Sequence, residues 1–326
     1  EMIENIETAR KLIGEAKNIV LTGHIRPDGD AVGSTMAMAY YLRSLGKKAT
    51  VIYPNAYPEF FCWIPGIKDT VIFEERQEEA IRIIRESDLH ICLDYNQMGR
   101  ISAVRPIVEA HKTPRMVIDH HIGLEIEADF ILSVPEAAAT CQLVFNMIKE
   151  LSGVEVIDRQ LAEYLMIGIT TDTGNTAFSA NDPQLYYIIG DLIATGIDKT
   201  TLYNRLFHTY TADRFRLMSY LMSKMELLND GKTALVVLTQ ADMRKYNYKN
   251  GDSEGFVNMP LQISKVTRSI LVREEKNQIN VSLRSVGDVP VNKVAELFGG
   301  GGHKNAAGCE FDVPLKEALE RLKRVL

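Results

Sequence analysis

Cysteine is scarce in this chain, with four residues among 326, and long apolar runs are missing. The cysteines stand far apart without paired spacing and mostly inside apolar segments, so we expect reduced core residues rather than disulfides or zinc ligands. The apolar runs are too short to cross a bilayer. The first residues, Glu1-Met2-Ile3-Glu4, lack the basic and apolar regions of a secretory signal. These features predict a cytoplasmic protein that does not use a membrane.

Positive charge is also limited. Lysine and arginine number 37 against 43 aspartate and glutamate residues, which gives a formal net charge of −6. Because long duplex nucleic acids select broad basic surfaces, this balance argues against duplex DNA as a partner. A small anionic substrate remains open, since metal ions and a few arginines can supply positive charge locally. The hydrophobic fraction of 46% over this length exceeds what one core usually organises, and so it predicts two domains.

The first half of the chain alternates strand-like and helix-like segments. The predicted strands are Asn18–Thr22, Lys48–Tyr53, Leu89–Leu93 and Arg115–Ile118. Strands separated by helices are typical of a mainly parallel sheet, whose binding crevice lies beyond the carboxyl ends of the strands. After Glu136 the pattern becomes largely helical and ends with a predicted helix at Asp213–Leu228.

A different pattern begins at Lys232 and predicts a small mixed sheet with helices. Its strand candidates are Thr233–Leu238, Ile263–Arg273 and Gln278–Ser285. The predicted fold class is α/β, with an N-terminal mainly parallel sheet flanked by helices, a smaller C-terminal mixed-sheet domain, and the active site in the cleft between them. The predicted ranges are 1–195 for the catalytic domain, 196–228 for a helical linker and 229–326 for a substrate-binding domain.

Side chains that favour metal ions follow three of these strands and one helix. They are His24, Asp28 and Asp30 in the segment His-Ile-Arg-Pro-Asp-Gly-Asp, then Asp94, then Asp119-His120-His121, and finally Asp172. Because the carboxyl ends of parallel strands meet at one edge of a sheet, we expect these side chains to form one site. Carboxylates and imidazoles without thiolates suit two divalent ions, with Mn²⁺ favoured and Mg²⁺ as the alternative. Such a pair activates water against a phosphodiester, so the residues predict a metal-dependent phosphoesterase.

Simpler interpretations exist for several of these features. Asp28 or Asp30 could merely cap the following helix, and Asp172 could be a helix-end residue. The glycines at 299–302 could form a linker, although their close flanking segments favour a nest of backbone amides that binds an anion. Arg268 and Arg284, on adjoining strand candidates, could face the same cleft or lie on the surface.

In this order the residues resemble the DHH phosphoesterase family, named for the Asp-His-His at 119–121. The family element H-x-x-P-D-x-D-x-x-G-S is present from His24 to Ser34, and the glycines before His303 resemble the signature of the associated DHHA1 domain. The resemblance implies one ion held by His24, Asp28 and Asp94. It implies a second ion held by Asp30, Asp94, His120 and Asp172, so that Asp94 bridges the two.

The resemblance also implies roles for residues outside the ligand set. His121 would lie near the scissile phosphate, Asp119 would orient the site, and Arg284 would bind substrate and stabilise the added negative charge. The further substrate-binding candidates are Arg268, Gly300, Gly301, Gly302 and His303.

Among DHH proteins, a two-domain chain without a membrane helix or sensory module resembles the nanoRNase group. That group hydrolyses very short oligoribonucleotides and removes the 3′-phosphate of adenosine 3′,5′-bisphosphate (pAp). The expected substrates are therefore short single-stranded RNA such as pApA, or small nucleotides, and a homodimer is compatible with the sequence. The alternatives are a cyclic-di-AMP phosphodiesterase, an exopolyphosphatase or pyrophosphatase, and a non-catalytic nucleotide sensor, against which the intact ligand set argues.

Overall fold

The computed structural model of this chain describes residues 3–326. They form two compact units, one ending at Thr209 and the other spanning Tyr210–Leu326. The range 196–228, predicted as a linker, is divided between the two units. In the part of the chain that is described, no helix is long and apolar enough to span a membrane.

The first unit contains a six-stranded parallel sheet. Its strands are β1 (Asn18–Thr22), β2 (Lys48–Tyr53), β3 (Val71–Ile72), β4 (Leu89–Leu93), β5 (Arg115–Asp119) and β6 (Phe130–Ser133). Their spatial order is β3-β2-β1-β4-β5-β6, and each neighbouring pair is parallel. The chain direction across the sheet therefore reverses at β1, whose carboxyl end adjoins that of β4. In parallel sheets this switch point is where ligands bind.

Eight α-helices flank this sheet. They are α1 (Ile6–Glu15), α2 (Gly29–Ser44), α3 (Gln77–Arg85), α4 (Arg105–Ala110), α5 (Thr140–Ser152), α6 (Arg159–Asp172), α7 (Pro183–Ala194) and α8 (Lys199–Phe207). The largest apolar core lies on the face covered by α2, α5 and α6, and a second core lies on the opposite face with α3 and α4. The prediction of a mainly parallel sheet with flanking helices is confirmed. The short strands β3 and β6 were not predicted.

The second unit is a six-stranded mixed sheet with helices. Its elements are α9 (Ala212–Ser223), β7 (Glu226–Leu228), β8 (Thr233–Leu238), α10 (Gln240–Lys245), β9 (Arg268–Glu274), β10 (Ile279–Ser285), α11 (Asn292–Glu296), β11 (Gly301–His303), β12 (Ala306–Phe311) and α12 (Leu315–Lys323). The order is β11-β12-β10-β9-β8-β7, and of its neighbouring pairs only β8 and β9 are parallel.

Two element boundaries in the second unit differ from the prediction. The helix predicted at Asp213–Leu228 ends at Ser223, and Glu226–Leu228 pairs with β8 instead. The strand predicted to begin at Ile263 begins at Arg268, because residues 263–266 form a turn that follows a 3₁₀ helix at Phe256–Gln262. In both places a short apolar run fits a helix and a strand equally well, so periodicity alone does not distinguish them.

Helices α2 and α6 approach closely because both carry glycine where they cross. A Cβ atom on Gly33 would lie 2.6 Å from the carbonyl oxygen of Tyr164 and 2.9 Å from the amide nitrogen of Gly168. A Cβ atom on Gly168 would overlap the carboxylate of Asp30. Glycine at these two positions therefore lets α2 pack closely against α6, and Asp30 in the first turn of α2 is then enclosed within the protein.

We expect Gly33→Ala to lower the free energy of unfolding by about 1–3 kcal/mol, because its methyl group meets the backbone of α6. Gly14→Ala is the matched control, since Gly14 is also helical but has no atom within 4 Å of a Cβ position. That change should raise the free energy of unfolding by up to about 1 kcal/mol through helix propensity. Denaturant unfolding of the two variants checks this, and changes of the same sign would contradict the close crossing.

Candidate metal centre

Three neighbouring strands deliver polar side chains to one edge of the parallel sheet. His24 lies two residues beyond β1, Asp94 follows β4 directly, and Asp119 is the last residue of β5. All three are buried, with exposed fractions of 4%, 1% and 0%. Because β1, β4 and β5 are adjacent in the sheet, these three side chains meet at its carboxyl edge, as predicted.

Asp28 caps helix α2 with one carboxylate oxygen and directs the other oxygen toward the site. It is the N-cap of α2, and its Oδ1 accepts hydrogen bonds from the amides of Asp30 and Ala31, each at 3.0 Å. Its Oδ2 lies 3.7 Å from Nε2 of His24. The simpler interpretation of Asp28 as a helix cap is thus correct, and the second oxygen still faces the site.

Asp30 is fully buried at the start of α2. Its two oxygens accept hydrogen bonds from the amides of Thr140 and Cys141, at 2.5 and 2.9 Å. These amides begin α5, so they add the positive end of that helix to the charge balance of the carboxylate. Burial, followed by the charges of Asp94 and Asp172, raises the pKa of Asp30 well above its ordinary value.

Two groups of ligand atoms meet at this edge. The first cluster consists of His24, Asp28 and Asp94, and the second cluster consists of Asp30, His120 and Asp172. In each cluster the three candidate ligand atoms lie within 4.8 Å of one another. The first cluster contains the residues that the family resemblance implied for one ion, and the second contains three of the four implied for the other.

The two carboxylate oxygens of Asp94 face different imidazoles, one in each cluster. Its Oδ2 lies 3.5 Å from Nε2 of His24, and its Oδ1 lies 3.7 Å from Nε2 of His120. Asp94 also has a left-handed backbone conformation, with a φ of 65°, and its Oδ1 accepts a hydrogen bond from the hydroxyl of Thr140 at 2.9 Å. This placement is that of a carboxylate able to bridge two ions.

Both cluster imidazoles are oriented through their other ring nitrogen. Nδ1 of His24 lies 2.8 Å from the carbonyl oxygen of Ile25, and Nδ1 of His120 lies 3.0 Å from that of Ala137. A carbonyl can only accept, so each Nδ1 carries the hydrogen and each Nε2 faces the carboxylates. This is the usual support for a histidine that ligates a metal.

His121 is held differently. Its Nδ1 lies 2.7 Å from Oδ1 of Asp119, and its backbone amide donates to Oδ2 of the same residue at 3.1 Å. Asp94, His120 and His121 also form a group whose ligand atoms lie within 4.8 Å. The Nδ1 of His121 that lies 3.8 Å from Asp94 is, however, the nitrogen already engaged by Asp119. This contact argues for His121 as a residue oriented by Asp119 and not as a metal ligand.

The negative charge of the site holds protons on both cluster imidazoles. Burial lowers the pKa of His24, but its hydrogen bond and charge interaction with Asp28, and then with Asp94, raise it to about 10. Burial likewise lowers the pKa of His120, which the Asp172 hydrogen bond and the charges of Asp94 and Asp30 raise to about 11. A divalent ion can supply the same neutralising charge. The donor set of oxygens and imidazoles, all converging and mostly buried, fits such ions.

A buried hydrogen-bonded chain beneath the site was not anticipated from the sequence. The hydroxyl of Thr22 lies 2.6 Å from the hydroxyl of Tyr95 and 2.7 Å from Nε2 of His90. All three residues are buried, and burial lowers the pKa of His90 to about 3, so its ring is neutral. The chain ties the last residue of β1 to the residue after Asp94. The sequence signal for this chain of hydrogen bonds is the presence of polar residues, Thr22 and His90, within apolar strands.

The two candidate arginines of the second unit lie on opposite faces of its sheet. Arg284 pairs with Ser269, and Arg268 pairs with Ser285. Paired residues share a face and successive residues alternate, so of the two arrangements left open by the sequence, the one with both arginines on one face of the sheet does not occur. Arg268 donates to the carbonyl oxygen of Leu326 at 3.3 Å. Within residues 3–326, Arg284 forms no ion pair with a carboxylate, and burial lowers its pKa.

The glycine run forms an edge strand where a nest of amides was predicted. The amides of Gly299 and Gly300 donate to the carbonyls of Glu296 and Ala295, at 3.1 and 2.9 Å, and thereby close α11. Residues 301–303 then pair with β12. A Cβ atom on Gly300 would overlap the carbonyl oxygen of Gly308, whereas Gly301 has open space around that position. The fold therefore requires glycine at 300 but not at 301.

Comparison with known proteins gives consistent results. Residues 18–169 match the family model described as DHH family, N-terminal domain, and residues 231–326 match the DHHA1 domain. The solved structure of an exopolyphosphatase-related protein from Bacteroides fragilis is 39% identical, with a TM-score of 0.94 over 99% of this chain and 97% of that one. The predicted resemblance is thus confirmed.

Two curated relatives carry names of specific activities. The bifunctional oligoribonuclease and PAP phosphatase NrnA of Thermus thermophilus is 29% identical, over 93% of this chain and 87% of that protein. The cyclic-di-AMP phosphodiesterase GdpP of Bacillus subtilis is 26% identical over 97% of this chain, but the match spans 48% of that protein.

Because His24 and His120 hold protons up to about pH 10 and 11, a metal ion must displace these protons when it binds. We expect Mn²⁺ binding at pH 7 to release protons from the cluster residues and to weaken as the pH falls. Titration calorimetry of metal-free protein in two buffers of different ionisation enthalpy measures the release. His111→Ala, which changes a histidine outside the clusters, is the control. Equal heats in the two buffers would contradict the assignment.

Proposed function

The chain belongs to the DHH family of phosphoesterases and carries a DHHA1 domain, and on this premise we propose that it hydrolyses short oligoribonucleotides such as pApA and bisphosphonucleotides such as pAp. The observation that carries the proposal is the pair of clusters that share Asp94. The curated relative named for both activities, similar along nearly its whole length, supports the choice of substrate.

Two divalent ions fit the clusters, and Mn²⁺ suits a set of carboxylates and imidazoles without thiolates. His24, Asp28 and Asp94 would hold one ion, and Asp30, Asp94, His120 and Asp172 the other. When bound, such a pair supplies a water of lowered pKa and polarises the phosphoryl oxygens. The protein contributes ligand atoms that the helix starts of α2 and α5 and the backbone carbonyls of Ile25 and Ala137 already orient.

His121 is the residue that acts on the reacting phosphate in this proposal. Because Asp119 engages Nδ1, Nε2 would be the ring nitrogen that contacts a substrate. Asp119 is fully buried and fixes the orientation of the ring through this contact. His121 can therefore stabilise the negative charge that develops on the phosphoryl oxygens, or donate a proton to the leaving oxygen.

Arg284 and Gly301 support a second contact with substrate phosphate. Arg284 is a partly buried cation on which Glu254 acts through its charge, but it forms no close ion pair among the described residues, an arrangement that favours binding of an anion. Gly301 is a glycine that the local fold does not require, and its edge strand admits close approach of a ligand. One compact anion site can hold the terminal phosphate of a short chain.

Substrate preference tests the proposal. We expect kcat/KM to be higher for pApA and pAp than for cyclic di-AMP, pyrophosphate or a 24-nucleotide RNA. Cyclic di-AMP lacks a terminal phosphate, pyrophosphate lacks a nucleoside, and a long RNA gains little from a compact anion site beyond its first residues. Initial rates with Mn²⁺ on this panel measure it. Preference for cyclic di-AMP would favour the function named for the Bacillus subtilis relative, and preference for pyrophosphate would favour an inorganic phosphatase.

Two arginine variants locate the anion site within this test. Arg284→Ala should raise KM for pApA about tenfold or more, and should leave an unphosphorylated chromogenic ester unaffected. Arg268→Ala is the matched control on the opposite face of the same sheet and should leave both KM values near those of the parent. Equal effects of the two changes would contradict the role of Arg284.

His121→Ala and His120→Ala should differ in kind. His121→Ala should lower kcat by roughly 10²-fold or more while bound metal stays near the normal amount, since the side chain acts on the transition state. His120→Ala should lose metal from the second cluster. Metal content by mass spectrometry, read beside kcat, separates the two. Loss of a metal from His121→Ala would instead assign His121 to the ligand set.

A further inference from the structure

The loop at residues 173–179 presents an exposed aromatic ring beside the metal centre. It directly follows Asp172, a residue of the second cluster, and its Phe178 side chain is 56% exposed. The edge of the Phe178 ring rests on Gly174, because a Cβ atom there would lie 2.6 Å from Cε2 of the ring. Gly174 is two residues from Asp172, a span of at most about 7 Å. The ring therefore rests on backbone that lies two residues beyond a residue of the second cluster.

This loop also concentrates left-handed backbone conformations. Asn175, Thr176 and Ser179 have left-handed backbones, with φ values of 59°, 69° and 48°. Thr176 is β-branched, and such residues are rare outliers in this region. Strain of this kind persists only where surrounding contacts impose it, and it is concentrated at functional sites.

Surrounding contacts fix the loop at several points. The carbonyl of Thr173 accepts hydrogen bonds from the amides of Ala177 and Phe178, at 2.8 and 2.9 Å. The hydroxyl of the fully buried Thr173 accepts from the amide of Thr176 at 2.9 Å. From α8, the ammonium group of Lys199 donates to Oδ1 of Asn175. These bonds hold the Phe178 backbone in place although its side chain remains in solvent.

We propose that Phe178 is a stacking platform for a nucleobase of the substrate and selects nucleotides over base-free phosphates. The inference rests on the proposed function and adds to it the group that contacts the base. Every base has a flat face, so a single ring gives affinity without base identity. The fixed loop limits the conformational freedom lost on binding, and a phenyl ring has few rotatable bonds to order.

The first test compares a substrate with and without its base. Phe178→Leu should raise KM for pAp at least about fivefold, the lower end of the loss expected for one base stack, with little change in kcat. KM for ribose 3,5-bisphosphate, which keeps both phosphates and lacks the base, should not change. Phe215→Leu is the matched control, since Phe215 in α9 has the same 56% exposure. A KM that rises equally for both substrates, or for neither, would overturn the proposal.

The second test reads binding without turnover. A Phe178→Trp variant should retain a low KM for pAp, and its fluorescence should be quenched by AMP but not by ribose 5-phosphate. The parent protein, whose single tryptophan is Trp63, gives the background signal. This arm decides the question if Phe178→Leu does not fold, and absence of AMP-specific quenching would overturn the stacking role.

The two tests keep this inference separate from the proposed function. If the parent protein hydrolyses neither pAp nor pApA, the proposed function fails, while AMP-specific quenching would still support base stacking. If the parent hydrolyses both and Phe178→Leu treats pAp and ribose 3,5-bisphosphate alike, the proposed function stands and the stacking role fails.

Discussion

Mutual repulsion among carboxylates at the edge of the parallel sheet is the constraint on which the first unit depends. Asp30 and Asp94 are almost completely buried, and Asp28 and Asp172 lie within reach of the same imidazoles. Taking these charges out of water is costly unless cations and hydrogen-bond donors compensate for them. The protein supplies amides from the starts of α2 and α5, and the imidazoles of His24 and His120. Divalent ions would complete the compensation with more charge and better geometry.

The surrounding architecture serves this arrangement at several levels. The strand order brings β1, β4 and β5 side by side, so that three ligand-bearing segments end at one place. Glycine at 33 and 168 lets α2 approach α6 until Asp30 is enclosed. The chain of Tyr95, Thr22 and His90 binds β1 to β4 just below the ligands, with neutral groups that add no charge to an acidic site. The packing and the electrostatics of this unit therefore favour the same geometry.

The sequence reveals most of this site because strand ends and ligand types are local properties. The apolar runs before His24, Asp94 and Asp119 predicted the correct strands, and parallel pairing then required the side chains to meet. The features that the sequence could not reveal depend on strand register or on contacts between residues that are far apart in the chain. Whether Arg268 and Arg284 share a face follows from the pairing of β9 with β10, and one residue of register reverses the answer. The support from Thr140 and Tyr95 depends on contacts across 46 and 73 residues.

Selectivity has to come from outside the two clusters. A pair of divalent ions engages the phosphoryl group of a phosphodiester, a phosphomonoester or a pyrophosphate in much the same way, so ligand geometry alone discriminates poorly among them. Discrimination requires groups that contact what differs between the substrates, namely a terminal phosphate and a base. Arg284 offers a partly buried positive charge, and Phe178 offers an exposed apolar face. Pyrophosphate has no base, and a cyclic dinucleotide has no terminal phosphate. Short phosphorylated oligonucleotides carry both features, so they are the substrates in which both proposed contacts would contribute to selectivity.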